Sequence, residues 1–441
     1  MTAGLDARTA ALDLLGEVLE RRTPLDEALQ QHKKLASLDS RDRGFARNLV
    51  ATSLRRLGQL DAVTAQLLDR PLKPKLEALR QVLRLGLCQI LFLETPPHAA
   101  VDTSVRLTAK AGFGGHKGLV NAILRRADRE LRPLIAGQEA SGEAARLNTP
   151  NWLWDALSAA HGEAVAQAIA EAHLTEPPLD LTLKDPASAD DWAARLDARV
   201  LPTGGLRLSS GQGDVAKLAG YRDGAWWVQD LAASLPARLL RARPGQTVVD
   251  LCAAPGGKTA QLAAAGAQVI AVDRHVGRLK RLTQNLDRLG LTAATVEADA
   301  ISWRPSAPVT GVLLDAPCSA TGTLRRHPDI ARLKGPKQFA PLTALQDRLL
   351  AAAADMLAPG GYLVYATCSL LPEEGPARIA ALLAAVRRGG GAPVARDPIA
   401  AEEVPGLGET VTAEGDLRSL PSQLSELGGL DGFYVCRLRR Q

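Results

Sequence analysis

Between Leu231 and Thr367, short apolar runs alternate with amphipathic stretches, and this alternation leaves few folds open. TVVDL, QVIAVD, VTGVLLD and GYLVYAT have strand length. KTAQLAAAG, VGRLKRLTQNLDRLG and LTALQDRLLAAAADML lie between them, with apolar residues at three- and four-residue spacing. Strands buried on both faces and joined by helical crossovers build an open, mostly parallel, doubly wound sheet of the α/β class. Such a sheet binds ligands outside the carboxyl ends of its strands, so the residues ending each run are the first candidates for chemistry. GFYVCRLRR reads as a final strand, and the Gly-, Pro- and acid-rich residues 389–428 before it read as a loop excursion.

The preceding sequence has other periods. Residues 1 to about 132 read as helix after helix, punctuated by Pro24, Pro71, Pro74, Pro96 and Pro97. PLIAGQEASGEAARLNTP reads as a linker. WLWDALSAAHGEAVAQAIAEAH and ADDWAARLDA then read as helices, and LDLTLK, LRLSS and AWWVQ as strands. The expected division is a helical domain over 1–138, a small α/β module over 146–230 and the doubly wound domain over 231–441.

The N-terminal twenty residues carry acids and helical periodicity, unlike a signal peptide, and no run reaches the roughly 18 apolar residues of a membrane span. A cytoplasmic, monomeric protein with no membrane partner is expected. Five cysteines without CxxC spacing, and no HExxH, argue against a disulfide framework and against a metal site. The net charge of +5 is unevenly spread: residues 1–140 hold 22 Lys and Arg against 16 Asp and Glu, the remainder 31 against 32. A basic helical region fits a polyanion partner, although a solvated basic surface gives the same count. Aromatic residues are only 3% of the chain, too few for base stacking on a sheet face.

TVVDLCAAPGGKTAQLAAAG is strand, loop, helix. Its small residues, Cys252, Ala253, Ala254, Pro255, Gly256 and Gly257 followed by Lys258, let a ligand approach the backbone. The P-loop pattern GxxxxGK[ST] fails, because its first glycine falls on Cys252. Asp273 ends the next strand, where a carboxylate can accept from both hydroxyls of a ribose. Asp299 ends a further short strand, on the adenine side. Loop and acids together describe an adenosine ligand without a triphosphate. S-adenosylmethionine fits, with S-adenosylhomocysteine as its product; NAD is the alternative, but the loop is not GxGxxG.

LLDAPCSATG and YATCSLLPEE each run from a strand into a turn carrying Cys-Ser. Asp315 and Cys318 end one strand; Cys368 ends the next. In a parallel sheet both ends face one crevice. Free cysteine is often simply buried, a reading that suits Cys88, Cys436 and a loop-packing Cys252. For Cys318 and Cys368 the shared place beside a donor site favours chemistry. A thiolate adding to carbon 6 of a cytosine makes carbon 5 nucleophilic, and an acid beside the base stabilises the developing charge.

DAPCS with TCS, below DLCAAPGGKT, resembles the RNA (cytosine-5) methyltransferases, and the resemblance runs along nearly the whole chain. VQDLAASLP, RRHPDI, LLPEE and DGFYVCRL are similar to the bacterial RsmB branch, also called Sun or Fmu, which carries a helical domain like the antitermination factor NusB. The resemblance implies a class I, Rossmann-like S-adenosylmethionine-dependent fold and an RNA substrate, 16S ribosomal RNA, not DNA. It implies that Cys368 attacks the base, Cys318 assists release and Asp315 binds the base beside the donor. Cys252 to Lys258, Asp273 and Asp299 hold the donor. The same chemistry on tRNA, and a silent RNA-binding assembly factor, are the alternatives. After the catalytic turn, Arg325, Arg326, Arg332, Lys334 and Lys337 face a single Asp329, and are expected to form a phosphate-contacting strip. His327 reads as structural.

Overall fold

The computed structural model describes residues 3–209 and 213–441; the first two residues of the chain and Ser210 of the expected LRLSS strand lie outside them. Contacts divide the chain into two units. One is Met1–Glu176 with Leu324–Gly335; the other is Pro177–Thr323 with Pro336–Gln441. The expected boundaries at 138, 146 and 230 thus fall within units, and a segment from the doubly wound region belongs with the helices.

The first unit is all helix. The helix Glu77–Leu91 buries eleven of its fifteen residues, Leu79 and every residue from Gln81 to Ile90. A helix covered on nearly every side is a central helix. Leu14, Leu15, Leu49, Leu60 and Leu124 share its core. The expected linker is instead two helices, Arg132–Ser141 and Glu143–Asn148, whose Ile135, Gln138, Ala144, Ala145 and Asn148 are buried. Asn148 explains the order: its Oδ1 accepts the Gln59 N–H at 3.1 Å and its Nδ2 donates to Gln59 Oε1 at 2.8 Å. A polar, alanine-rich composition hides a face that buries small residues and one amide network.

Leu324–Gly335 is built into this helical unit. Asp329 Oδ2 accepts the Leu25 N–H at 3.0 Å, and the Arg325 carbonyl accepts from Arg55 Nη2 at 2.8 Å. Arg332 Nη2 donates to the Asn148 carbonyl at 2.9 Å, and Leu333 packs on the helical core. His173 is buried beside Arg55 and Arg325, and burial, then those two charges, pull its pKa down to about 3.

The second unit holds two sheets. β1 (Leu179–Leu183), β2 (Arg199–Val200), β3 (Leu206–Leu208) and β4 (Trp226–Val228) form an antiparallel sheet in the order β2-β3-β1-β4. Its buried Arg207–Asp180 pair (2.7 Å) also reaches out: Arg207 donates to the Leu427 and Gly429 carbonyls, and Asp180 accepts the Leu231 N–H. The small module is therefore not separate from the main sheet but bolted to it.

The main sheet comprises β5 (Thr247–Leu251), β6 (Gln268–Asp273), β7 (Ala294–Glu297), β8 (Val309–Asp315), β9 (Leu357–Thr367), β10 (Val394–Arg396), β11 (Leu417–Ser419) and β12 (Phe433–Arg440). Its order is β10-β12-β9-β8-β5-β6-β7, with β11 also paired to β12. β5 to β9 are parallel and the rest antiparallel. The excursion over 389–428 contains β10 and β11, so it is not loop alone; both strands are three residues long, too short for a visible alternation. The chain runs from β5 outward through β6 and β7, then returns to β8 on the other side of β5. That reversal opens a crevice at the carboxyl ends of β5 and β8.

Candidate active site

The loop after β5 is positioned by two acids. Asp250, fully buried in the strand, accepts from Thr259 Oγ1 at 2.6 Å and so ties the strand to the helix Gly257–Ala264. Asp273 ends β6, accepting the Ala254 N–H at 3.2 Å and the His275 N–H at 3.0 Å. Arg278 lies 3.7 Å from Asp273 and donates to the Ala254 carbonyl. The turn passes through Gly256 at φ +102°, where an added Cβ would lie 2.8 Å from Leu282. Cys252 is in the left-handed region too, and burial pushes its thiol up to about 12, which suits packing and not reaction. Asp299 is exposed beyond β7 and accepts the Ile301 N–H at 3.0 Å.

These residues fit an adenosine-type ligand. Each Asp273 oxygen accepts one backbone N–H, leaving lone pairs of both oxygens for the paired hydroxyls of a ribose. Ala253, Ala254 and Gly257 present no bulk. Among the described residues no cluster of His, Cys, Asp and Glu suits a metal ion.

Lys258 projects from the first turn of that helix to Asp315 at the end of β8, Nζ to Oδ2 2.7 Å. Burial acts to lower the Lys258 pKa, but the Asp315 carboxylate outweighs it and the net direction is up. The pair joins the expected donor loop to the expected base-binding acid.

Two residues beyond Asp315 and its register partner Ala366, β8 and β9 deliver Pro317 and Cys368; Cys318 follows, and its sulfur is 3.4 Å from that of Cys368. Gly322 closes the first turn: its N–H reaches the Cys368 carbonyl at 2.9 Å, and its carbonyl accepts the Gly432 N–H at 2.8 Å. A Cβ on Gly322 would lie 2.0 Å from the Gly432 carbonyl oxygen, so only glycine fits there. The hydrogen bond to Cys368, then burial, then the charges of Cys368 and Glu374 raise the Cys318 thiol well above its ordinary range. Either sulfur can donate in the contact between them. Cys88 and Cys436 are fully buried elsewhere, as a packing role requires.

The basic strip does not form as expected. Arg325 is 1% exposed and belongs to the helical unit, and Arg332 is half-buried on the Asn148 carbonyl. Arg326 and Lys334 are half-buried, and of the five only Lys337 is exposed. The charges were read along the chain, but buried Leu324, Pro328 and Ala331 interleave them and carry the arginine stems inward. His327 meets Asp26 at 3.4 Å, in keeping with a structural role.

Two acids escaped the sequence reading. Glu374, at 0% exposure, collects donors from both cysteine turns; the one available signal was a serine directly after each cysteine and an acid soon after the second. Asp250 was hidden inside an apolar strand. Burial raises its pKa to about 7 from an ordinary 3.8. As pH rises from about 4 to 7 the unfolded chain loses this proton while the folded one keeps it, so stability falls across that window and levels off above it. Urea denaturation of Asp250→Asn should lack this slope. Relative to wild type the variant should gain about 2–3 kcal/mol between pH 5 and pH 8, at 1.4 kcal/mol per pKa unit. Parallel pH profiles for the two proteins would place the titration elsewhere.

Comparison with known proteins gives the family. Residues 237–439 match the family model "16S rRNA methyltransferase RsmB/F", and residues 5–129 match the NusB family. The crystal structure of PH0851 superposes with a TM-score of 0.74 at 22% identity, covering 100% of this chain and 99% of that one, a likeness of fold. A methyltransferase homologue from Pyrococcus horikoshii matches at 25% identity and a TM-score of 0.53, over 65% of this chain and 94% of its own. Probable ribosomal RNA small subunit methyltransferase B of Synechocystis is 36% identical over 85% of this chain and 88% of its own. Ribosomal RNA small subunit methyltransferase B of Pseudomonas putida is 37% identical over 98% of both chains. With that identity held from end to end, the chain belongs to the family of ribosomal RNA small subunit methyltransferase B.

Proposed function

We propose that this chain methylates carbon 5 of a cytosine in 16S ribosomal RNA through a covalent cysteine–cytosine intermediate, in the cytoplasm. One observation carries the reading: two thiols 3.4 Å apart at neighbouring parallel strand ends, beside a Lys258–Asp315 pair. S-adenosylmethionine, held by Cys252 to Lys258, Asp273 and Asp299, supplies an electrophilic methyl group. Cys368 adds to carbon 6 of the base, which makes carbon 5 a nucleophile. Asp315 meets the Watson–Crick edge, and Lys258 keeps that carboxylate oriented. Once carbon 5 carries the methyl group, a base takes the carbon 5 proton, its electron pair re-forms the carbon 5–carbon 6 double bond, and the Cys368 sulfur leaves as a thiolate with the help of Cys318. Asp315 also borders the donor site.

The helical unit, with its basic excess and its NusB match, is proposed to contact RNA phosphates, together with exposed Lys337. Bisulfite mapping of rRNA and tRNA from a strain lacking the gene tests the substrate. One cytosine of 16S rRNA should lose its protection from conversion. Loss confined to a tRNA would move the substrate; no loss anywhere would favour a silent assembly factor.

A further inference from the structure

Each catalytic thiol is followed by a serine, and both serines bond one buried carboxylate. Ser319 donates its N–H (2.9 Å) and its Oγ–H to Glu374, and Ser369 donates its Oγ–H at 2.6 Å. The two hydroxyl oxygens are 3.2 Å apart. The fourth donor, Gln346 Nε2, lies 3.1 Å from Glu374 Oε1 and also holds the Pro317 carbonyl at 2.9 Å, immediately before Cys318. The Glu374 carbonyl accepts from Tyr365 Oη at 2.8 Å, at the end of β9. Ser319, Ser369, Gln346 and Glu374 are all 0% exposed.

A carboxylate sealed from water is costly, and here all four of its donors are neutral. Apolar side chains could fill this space at lower cost. What they could not do is fix two turns against one another, because only an acceptor with four lone pairs can hold donors from both. We propose that Glu374 is a positioning residue, which sets the Cys318 and Cys368 sulfurs at reacting distance. A negative charge behind Cys318 also opposes its ionisation, in line with the upward shift described above.

This inference rests on the methyltransferase reading, but its test does not depend on RNA. Glu374→Gln keeps the size and removes the charge. Ser369→Ala removes one arm of the clasp and leaves the buried carboxylate three donors. Alkylation of each cysteine by iodoacetamide is followed across pH by mass spectrometry. In Glu374→Gln the Cys318 profile should move to lower pH, and in Ser369→Ala the Cys368 rate should change while that of buried Cys88 does not. With RNA, both variants should bind S-adenosylmethionine normally and lose kcat, by about 100-fold for Glu374→Gln, the scale of a 1 Å misplacement. A residue with only a structural role would lower Tm and leave both profiles in place. If Glu374→Gln fails to fold, Ser369→Ala decides alone. Wild-type profiles and kcat in the folded variants overturn the proposal. A wild-type enzyme that methylates no RNA overturns the methyltransferase reading instead, and the alkylation profiles still judge Glu374.

Discussion

Cys368→Ser should abolish methyl transfer, whereas Cys318→Ser should leave protein and RNA joined. The two sulfurs are 3.4 Å apart, and the hydrogen bond to Cys368 with burial holds Cys318 toward the protonated form. Cys368 is the proposed nucleophile. A serine hydroxyl at neutral pH is far less ionised than a thiol, so activity should fall on the order of 10⁴- to 10⁶-fold, as for loss of a nucleophile elsewhere. Cys318→Ser keeps the attack and the methylation but slows the release of the Cys368 sulfur. The covalent complex should accumulate, require S-adenosylmethionine, and migrate as one band on a denaturing gel. It should vanish in the double variant. A trapped complex with Cys368→Ser instead would exchange the two roles. Full activity in both single variants would make the covalent route wrong for this chain.

The thiols were legible in the sequence because their signal is local. An apolar run, a turn and a cysteine lie within ten residues, and a parallel sheet brings such ends together without further information. The donor loop was legible for the same reason. Glu374 was not. Its meaning depends on Ser319, 55 residues earlier, and on Gln346 from another helix. Nothing in LLPEE distinguishes a buried acid from an exposed one. The same limit explains Arg325: a run of basic residues reads as a solvated strip until its neighbours Leu324 and Ala331 are known to be buried. The helices over 132–148 were hidden by composition, since alanine and glutamine mark neither a core face nor a loop. β10 and β11 each have only three residues, which fall below any period. Short-range pattern placed the two cysteine turns and the loop after β5; the residues that hold them in place are long-range.

Donor binding should hinge on Asp273, and the ligand itself can report why. The carboxylate already accepts two backbone N–H groups and is only 3% exposed, and each oxygen keeps a lone pair for a ribose hydroxyl. Two charge-assisted bonds to ribose hydroxyls, at roughly 1.5–3 kcal/mol each, make Asp273→Ala about 100-fold weaker for S-adenosylmethionine or worse. Removal of the side chain also releases the Ala254 N–H, so weaker binding alone does not separate a lost ribose contact from a loosened loop. Calorimetry with S-adenosylhomocysteine and its 2′-deoxy form closes a double-mutant cycle between protein and ligand. If Asp273 holds the hydroxyls, the deoxy ligand should bind wild type at least tenfold more weakly, yet bind Asp273→Ala no worse than the parent ligand does. Equal penalties in both proteins would mean that the two act independently, with Asp273 shaping the loop through Ala254 while the ribose is held elsewhere. Unchanged affinity in Asp273→Ala would remove the donor from this crevice altogether.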